Sequence, residues 1–206
     1  QHIAEHGGGR AVLWLLGAQS GDDDDLRVAG YVPARDLLEM RVPLPIDERP
    51  RWPDGVSVRT FERGRDDAAW LTVNNRAFEN HAEQGAWVET TLQRRMAEPW
   101  FDPQLFFLAF DDEGLAGFNW CKIHEANGRD TKLGEIFVIG TDPRAGGRGL
   151  GRALALHGLG TLHERGARTG MLFTAADNEG AIHLYKSIGF TVHRIDRAYE
   201  RDVDAA

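Results

Sequence analysis

The hydrophobic positions divide the chain into stretches with strand periodicity and stretches with helix periodicity. Short apolar runs rich in β-branched or aromatic residues predict strands, and apolar residues three and four positions apart predict helices. From Gly55 onward the patterns predict the order β-α-α-β-β-β-α-β-α-β. The predicted strands are 56–61, 105–110, 115–124, 136–139, 168–175 and 191–200, and the predicted helices are 66–79, 90–98, a segment from residue 150 and 178–187.

The first 50 residues do not predict a domain of their own. Residues 11–16 predict a buried strand, and alternating apolar residues at 38–44 predict a half-buried one. Residues 17–25, with four consecutive aspartates, predict a solvated loop. A calcium site at these aspartates is disfavoured, because EF-hand spacing is absent. Several prolines after residue 42 predict a linker, assigned to residues 46–54.

An internal match relates the two ends of the chain. The hexapeptide that begins at Gly30 agrees with the one that begins at Gly189 in its glycine, aromatic and arginine positions. An apolar strand precedes each hexapeptide, and a strand-like segment follows each. This predicts that residues 1–45 are the end of an incomplete copy of a domain that residues 55–206 contain in full. The fragment would have to dock on the complete domain or on another chain, since isolated strands expose their edges.

Composition and charge exclude several functional classes. The formal net charge is -8 over 206 residues, which disfavours a phosphate-binding track for nucleic acid. No apolar run approaches the ~20 residues of a membrane span, and no signal peptide is visible. The single cysteine, Cys121, excludes an intrachain disulfide and is expected to be a small strand residue rather than a catalytic thiol. These features predict a cytoplasmic protein without a metal site, and they leave the oligomeric state open.

A glycine-rich turn between a predicted strand and a predicted helix carries the main chemical signal. Such a turn directs free backbone N–H groups towards an anion. The spacing fits neither the dinucleotide fingerprint nor a Walker loop, because Gly147, Gly149 and Gly151 stand at every second position and no Lys-Ser or Lys-Thr follows. The pattern Arg144-x-x-Gly147-x-Gly149 resembles the acyl-CoA pyrophosphate loop of the GCN5-related N-acetyltransferases (GNAT). An ordinary glycine-rich turn is the alternative interpretation.

The resemblance implies an α/β (α+β) GNAT fold, with a mixed central sheet splayed at its fourth strand and helices on both faces. It implies acetyl-CoA as co-substrate, with the pyrophosphate on the backbone N–H groups of residues 146–151 and the pantetheine beside residues 138–140. One N–H of that strand would hold the oxyanion, and Arg148 or Arg152 would assist the phosphates. The implied cofactor-binding residues are Val138, Ile139, Gly140, Thr141, Arg144, Gly146, Gly147, Arg148, Gly149, Leu150, Gly151, Arg152 and Asn178.

A second segment, residues 177–190, resembles the cofactor-side helix of the same family, D-N-x-x-A-x-x-[LF]-Y-x-x-x-G-F. Asp177 or Asn178 is predicted as its N-cap and Gly189 as its C-terminal glycine. Within this motif the resemblance implies that Tyr185 lies near the thioester sulfur and protonates the leaving thiolate. Without the motif, Tyr185 would be interpreted as a core aromatic.

Glu135 is the candidate general base. It stands between Gly134 and four apolar residues, where an unpaired buried carboxylate would cost several kcal/mol. A glutamate with an ordinary pKa of ~4.3 is a poor direct base, so a water-mediated path is included in the hypothesis. The alternative is a carboxylate held in a salt bridge at a strand edge.

The acceptor hypothesis depends on four further stretches, residues 74–87, 100–103, 117–124 and 133–135, which resemble the mycothiol synthase family. That family has two tandem acetyltransferase domains and acetylates the cysteinyl amine of cysteinyl-glucosaminyl-inositol. The resemblance places acceptor contacts on Glu83, Lys122 and Glu135. It also reveals a departure, because Phe173 stands where the family commonly has a tyrosine that contacts the acceptor.

The sequence therefore predicts an acetyl-CoA-dependent N-acetyltransferase in which the amine attacks the thioester directly in a ternary complex. Two alternatives stay open. One is acetylation of a different amine, such as a peptide N-terminus or an aminoglycoside. The other is a non-catalytic acyl-CoA-binding module.

Overall fold

A computed structural model gives the structure of residues 8–19, 21–79, 84–128 and 130–204. The strands are β1 (Gly9–Leu15), β2 (Val32–Pro43), β3 (Ser57–Thr60), β4 (Phe106–Asp111), β5 (Gly114–His124), β6 (Leu133–Thr141), β7 (Thr169–Ala175) and β8 (Thr191–Val203). The helices are α1 (Asp22–Val28), α2 (Asp67–Ala77), α3 (Glu89–Met96), α4 (Leu150–Glu164) and α5 (Glu179–Ile188). From β3 onward the predicted order of elements is confirmed. No helix in these ranges is long and apolar enough to cross a lipid bilayer.

The expected loop at residues 17–25 is wrong from Asp22 onward, because helix α1 begins at the first of the four aspartates. All four aspartates lie in its first turn, where the helix dipole and the unpaired backbone N–H groups favour negative charge. Gln19 N also donates a hydrogen bond of 2.6 Å to Asp22 Oδ2 ahead of the helix. The acidic run therefore starts a helix, although a charge run by itself is more typical of a loop.

The structure divides into two compact units. Unit 1 contains the described residues up to Arg41 together with those from Leu172 onward, and unit 2 contains Val42–Met171. These limits differ from the predicted domain limits of 1–45 and 55–206. The predicted limits follow from a sequence match between the two ends of the chain, whereas the units group residues that pack together. The two divisions therefore describe different things, and the predicted domain organisation stays a prediction.

In unit 2 the strands lie in the order β6-β5-β4-β3, each antiparallel to its neighbour. Alternate residues of β4 point to opposite faces of this sheet. Phe106 and Leu108 enter an aromatic core with Trp70 of α2 and Leu92 of α3, whereas Ala109 packs with residues of α4 on the other face. Helices therefore cover both faces of this part of the sheet, as predicted.

In unit 1 the strands lie in the order β1-β8-β2-β7. The segments β1-α1-β2 and β7-α5-β8 have the same strand–helix–strand order, and β8 pairs antiparallel with both β1 and β2. Leu37 lies opposite Asp196, and each stands seven residues after its matched glycine, Gly30 or Gly189. Equivalent residues of the matched segments thus face each other across the β2–β8 pair, which is the geometry of a local twofold relation.

Helix α4 approaches the unit 2 sheet closely at Gly158. A Cβ atom placed there would lie 2.3 Å from Asn119 Nδ2 and 2.8 Å from Cys121 Sγ. Asn119 is itself fixed, because its Nδ2 donates to the backbone oxygen of Leu154 at 2.8 Å. A side chain at position 158 would therefore push the helix away from the sheet.

We expect Gly158→Ala to lower the free energy of unfolding by about 1–2 kcal/mol, because overpacking typically costs ~1–3 kcal/mol. The higher helix propensity of alanine, up to ~1 kcal/mol, offsets part of this cost. Chemical denaturation measures the change. Gly160→Ala is the matched control in the same helix, since nothing lies within 4 Å of its added Cβ. It should stabilise the protein, and equal effects at both positions would contradict the close approach.

Candidate active site

The glycine-rich turn connects β6 to α4. Asp142 begins it, and its Oδ1 accepts a hydrogen bond of 3.1 Å from Arg144 N in a short 3-10 turn. Gly147 and Gly149 then adopt φ values of 75° and 79°, which side chains with a Cβ rarely adopt. Gly149 is the N-cap of α4 and supplies no capping side chain. The predicted strand–turn–helix is thus confirmed, and glycine is required where the backbone turns.

The backbone N–H groups of this turn fit an anionic group. Within the described part of the chain, nothing accepts a hydrogen bond from the backbone N–H groups of residues 147–151. Four of these five residues are exposed or partly exposed, and Leu150 is buried. At the N-terminus of a 15-residue helix, such groups combine hydrogen-bond donation with the positive end of the helix dipole.

The two arginines of the turn, and a third in the first turn of α4, contact carboxylates of the protein. Arg144 donates two hydrogen bonds to Asp111, of 2.9 and 3.0 Å, and Arg148 donates a third of 3.0 Å. Arg152 pairs with Glu48 at 2.6 Å. Sequence reasoning missed Asp111, which lies at the end of β4 and links two arginines of the turn. The expected contribution of Arg148 and Arg152 to phosphate binding stays a prediction.

Asp111 should make the stability of the folded chain depend on pH. Its side chain is 2% exposed, and hydrogen bonds from Arg144 lower its pKa to about 2. The unfolded value is ~3.9. A lowered folded pKa means that the carboxylate stabilises the fold above pH ~4, and that this contribution is lost as the pH falls towards 2.

We therefore expect Asp111→Asn to lower the free energy of unfolding by its full amount at pH 6. The effect should become progressively smaller as the pH falls from 4 to 2. Chemical denaturation of the variant and the wild type at pH 6 and at pH 2 measures the difference in their free energies of unfolding. Asp112→Asn is the control, because Asp112 is the exposed neighbour in the same turn. A difference that stays constant down to pH 2 would contradict the ion-pair role of Asp111.

A partly buried ionic cluster connects β5 and β6. The side chain of Glu135 is 8% exposed, and Lys122 lies directly opposite it in the strand register. Lys122 Nζ is 3.7 Å from Glu135 Oε2, and His124 Nε2 is 2.5 Å from the same oxygen. The structure thus brings together two predicted residues, Glu135 and Lys122. The alternative interpretation of Glu135 as a salt-bridged carboxylate is correct for its contact with Lys122. This contact does not decide whether Glu135 is also the base.

The Lys122 ammonium lies against two aromatic rings. Its Nζ is 4.8 Å from the ring centre of Trp100 and 5.7 Å from that of Phe137. The two rings contact each other with centres 4.9 Å apart. Cation–π attraction contributes about 0.5–2 kcal/mol at such distances and restricts the position of the cation. The cluster therefore holds a positive and a negative group at fixed positions on one face of the sheet.

A β-bulge shapes the strand that carries Glu135. Trp120 pairs with Val138 and Cys121 pairs with Ile136, so Phe137 is an extra residue in β6. A bulge increases the local twist and redirects side chains. Beyond it, residues 138–141 pair with β5 through one edge of the strand. That this segment lies beside pantetheine stays a prediction, and the bulge itself was not predicted from the sequence.

The predicted site residues of unit 1 lie on or near α5. Asn178 is the N-cap, since its Oδ1 accepts a hydrogen bond of 3.1 Å from Ala181 N, and Gly189 ends the helix with φ 110°. The side chain of Tyr185 is buried against Phe190, and this burial raises its pKa to about 12. Phe173 on β7 is 37% exposed. The predicted caps are confirmed.

Two further predictions concern Cys121 and Glu83. Cys121 lies in β5, so the predicted strand residue is confirmed, and its burial raises the pKa of its thiol. Glu83 lies outside the described residues. Within the ranges that the structure covers, no group of three His, Cys, Asp or Glu side chains is arranged to hold a metal ion.

Comparison with known proteins identifies the family. The profile of the Acetyltransferase (GNAT) family matches residues 68–190. Mycothiol acetyltransferase from Thermobispora bispora is 45% identical over 97% of this chain and 68% of its own length. The protein of the same name from Thermomonospora curvata is 49% identical over 83% of this chain and 57% of its own length. The chain thus spans about two thirds or less of the length of these relatives.

Solved structures show the same fold. A GCN5-related N-acetyltransferase from Sphaerobacter thermophilus has a TM-score of 0.77 at 24% identity, over 97% of this chain and 62% of that one. A tandem GNAT protein from the clavulanic acid biosynthesis pathway has a TM-score of 0.71 at 16% identity, over 94% of this chain and 64% of that one. These likenesses confirm the predicted α/β GNAT fold. The chain therefore belongs to the acetyltransferase (GNAT) family and is related within it to the mycothiol acetyltransferases.

Proposed function

We propose that this chain transfers an acetyl group from acetyl-CoA to a primary amine. The observation that carries the proposal is the glycine-rich turn at the start of α4, whose N–H groups suit the CoA pyrophosphate. The turn fits this group because Gly147 and Gly149 have no atom within 4 Å of an added Cβ, so the backbone is open to a ligand. Membership of the GNAT family supports acetyl-CoA as the acyl donor.

In the proposed reaction, the acceptor ammonium first gives a proton to Glu135, directly or through a water. The free amine then attacks the thioester carbon, so that a C–N bond forms and the C–S bond breaks. Tyr185 donates a proton to the leaving thiolate of CoA. The nitrogen of the new amide loses its second proton, which restores the phenol of Tyr185 through solvent. Glu135 suits the first step because it is a carboxylate held in a mostly buried site, and Tyr185 suits the last because its phenol keeps its proton.

We infer that the acceptor is the cysteinyl amine of cysteinyl-glucosaminyl-inositol. The relatives named mycothiol acetyltransferase support this acceptor. An acceptor with hydroxyl groups and an ammonium needs both hydrogen-bond donors and carboxylates, which Lys122 and Glu135 provide on adjacent strands. Glu83 is proposed as a third contact from the family resemblance alone. Phe173 provides no hydroxyl, so we expect one acceptor contact fewer than in relatives with a tyrosine there.

We also propose that residues 1–45 are the end of a first acetyltransferase domain whose front part lies outside this sequence. The equivalent strand–helix–strand segments of unit 1 support this, as does the incomplete coverage of the relatives.

A panel of acceptors tests the function, with release of CoA thiol as the readout. We expect turnover with cysteinyl-glucosaminyl-inositol and little with a peptide N-terminus or an aminoglycoside. Turnover on peptides alone would contradict the acceptor. No turnover on any amine, combined with a thermal shift on adding CoA, would instead indicate a binding module. CoA at ~100 times its Kd should stabilise the fold by ~2.7 kcal/mol.

A further inference from the structure

His124 is the closest neighbour of the proposed base and has no role in the proposed reaction. It is the last residue of β5, and its Nε2 is 2.5 Å from Glu135 Oε2. Its side chain is 36% exposed, whereas that of Glu135 is 8% exposed. A partly exposed histidine therefore bonds a buried carboxylate beside the proposed site of proton transfer.

The contacts of Glu135 are divided unequally between its two oxygens. His124 and Lys122 both approach Oε2. Among the residues that the structure describes, none forms a hydrogen bond with Oε1. The terminal torsion of glutamate is broad, so a free carboxylate would sample many orientations. With Oε2 bound on one side, the orientation of Oε1 is restricted.

We propose that His124 is a positioning residue for Glu135, a hypothesis that rests on the proposed acetyl transfer. His124 donates a hydrogen bond from Nε2 to Oε2, and Oε1 is thereby presented to the acceptor ammonium or to a bridging water. No proton moves to or from His124 in this role. The proton of the acceptor goes to Oε1, and the imidazole keeps the carboxylate in place while it arrives.

The hydrogen bond also requires one tautomer of the neutral imidazole. An ionised carboxylate only accepts hydrogen bonds, so the neutral ring must carry its proton on Nε2. Lys122 does not replace this function, because its Nζ is 3.7 Å from Oε2 and its position is restricted by the rings of Trp100 and Phe137. The ammonium supplies charge, and the imidazole supplies the short directional contact.

Two variants separate positioning from a role in packing. His124→Phe keeps a ring but has no donor, and we expect kcat to fall by about 10- to 100-fold, in line with the effect of small misplacements of reacting groups. His124→Gln keeps an N–H donor and should retain kcat within about fivefold. The Kd for acetyl-CoA should change by less than about twofold in both, because the cluster lies on β5 and β6 rather than in the glycine-rich turn. His193→Phe, at an exposed position of β8, is the control.

An unchanged kcat in His124→Phe would overturn the proposal, and so would an equal loss in His124→Gln. If the wild type acetylates no amine, the proposed function is contradicted, but the hydrogen bond between His124 and Glu135 can still be tested. Nitrogen-15 NMR of the histidine rings then tests the positioning bond without turnover. We expect His124 to carry a proton on Nε2, with a hydrogen-bonded proton signal that disappears in Glu135→Ala, which removes the acceptor. An Nδ1–H tautomer, or a signal that the Glu135 variant leaves unchanged, would overturn the proposal.

Discussion

Replacing Glu135 by glutamine is expected to lower kcat by about 10²–10³-fold, within the usual range for the loss of a general base. The variant keeps the size of the side chain and its ability to accept a hydrogen bond, but the amide cannot take a proton from the acceptor. The Kd for acetyl-CoA should stay within about twofold, since the proposed pyrophosphate site lies in the glycine-rich turn. Steady-state kinetics and calorimetric titration with acetyl-CoA measure the two effects separately.

The control for this variant is Glu125→Gln. Glu125 follows β5, its side chain is 78% exposed, and it pairs with Lys132 at 3.2 Å. Its replacement removes the same charge at an exposed position just after β5, the strand that pairs with the one carrying Glu135, so turnover should be unchanged. If Glu135→Gln kept half of the wild-type kcat, or if both variants lost activity equally, Glu135 would not be the base.

Replacing Tyr185 by phenylalanine is expected to lower kcat by about 10²-fold through loss of the proposed proton donor. The ring and its contact with Phe190 remain, so the effect should not come from packing. Burial raises the pKa of this phenol to about 12, which keeps it protonated throughout the pH range of an ordinary assay. The thiolate would then leave without a proton from the protein, and kcat should fall much more than the affinity for acetyl-CoA.

Tyr31→Phe is the matched control in the same unit. The Arg201 guanidinium lies 4.8 Å from the Tyr31 ring centre, and a phenylalanine ring keeps this contact. Kinetics of both variants from pH 6 to 10 test the assignment. Unchanged turnover in Tyr185→Phe would remove the tyrosine from the mechanism. A decline of wild-type activity below pH 10 that is absent from Tyr185→Phe would contradict the raised pKa.

The sequence predicted the site best where function requires a local backbone conformation. Gly147 and Gly149 can be recognised from spacing, because the turn between strand and helix needs left-handed backbone at these positions. Asn178 and Gly189 can be recognised for the same reason, as the two ends of one helix. Each of these features depends on residues within a few positions along the chain.

The sequence did not predict the partners of these residues. Asp111 holds Arg144 from 33 positions away, and nothing in the local pattern distinguishes it from the exposed Asp112. The sequence could have placed His124 beside Lys122, because residues two apart on a strand share a face. That this face also carries Glu135 depends on the register between β5 and β6 and on the bulge at Phe137.

The sequence by itself determined the order of the elements from β3 onward, the glycine-rich turn and the ends of α5, because periodicity and backbone conformation are local properties. It did not determine that the aspartates at residues 22–25 begin a helix, since charge runs are compatible with loops and with helix N-termini. The tertiary structure decided which carboxylates bind the arginines of the turn and which oxygen of Glu135 is bound. Those contacts join residues on different elements, and only the packing of the strands brings them within hydrogen-bonding distance.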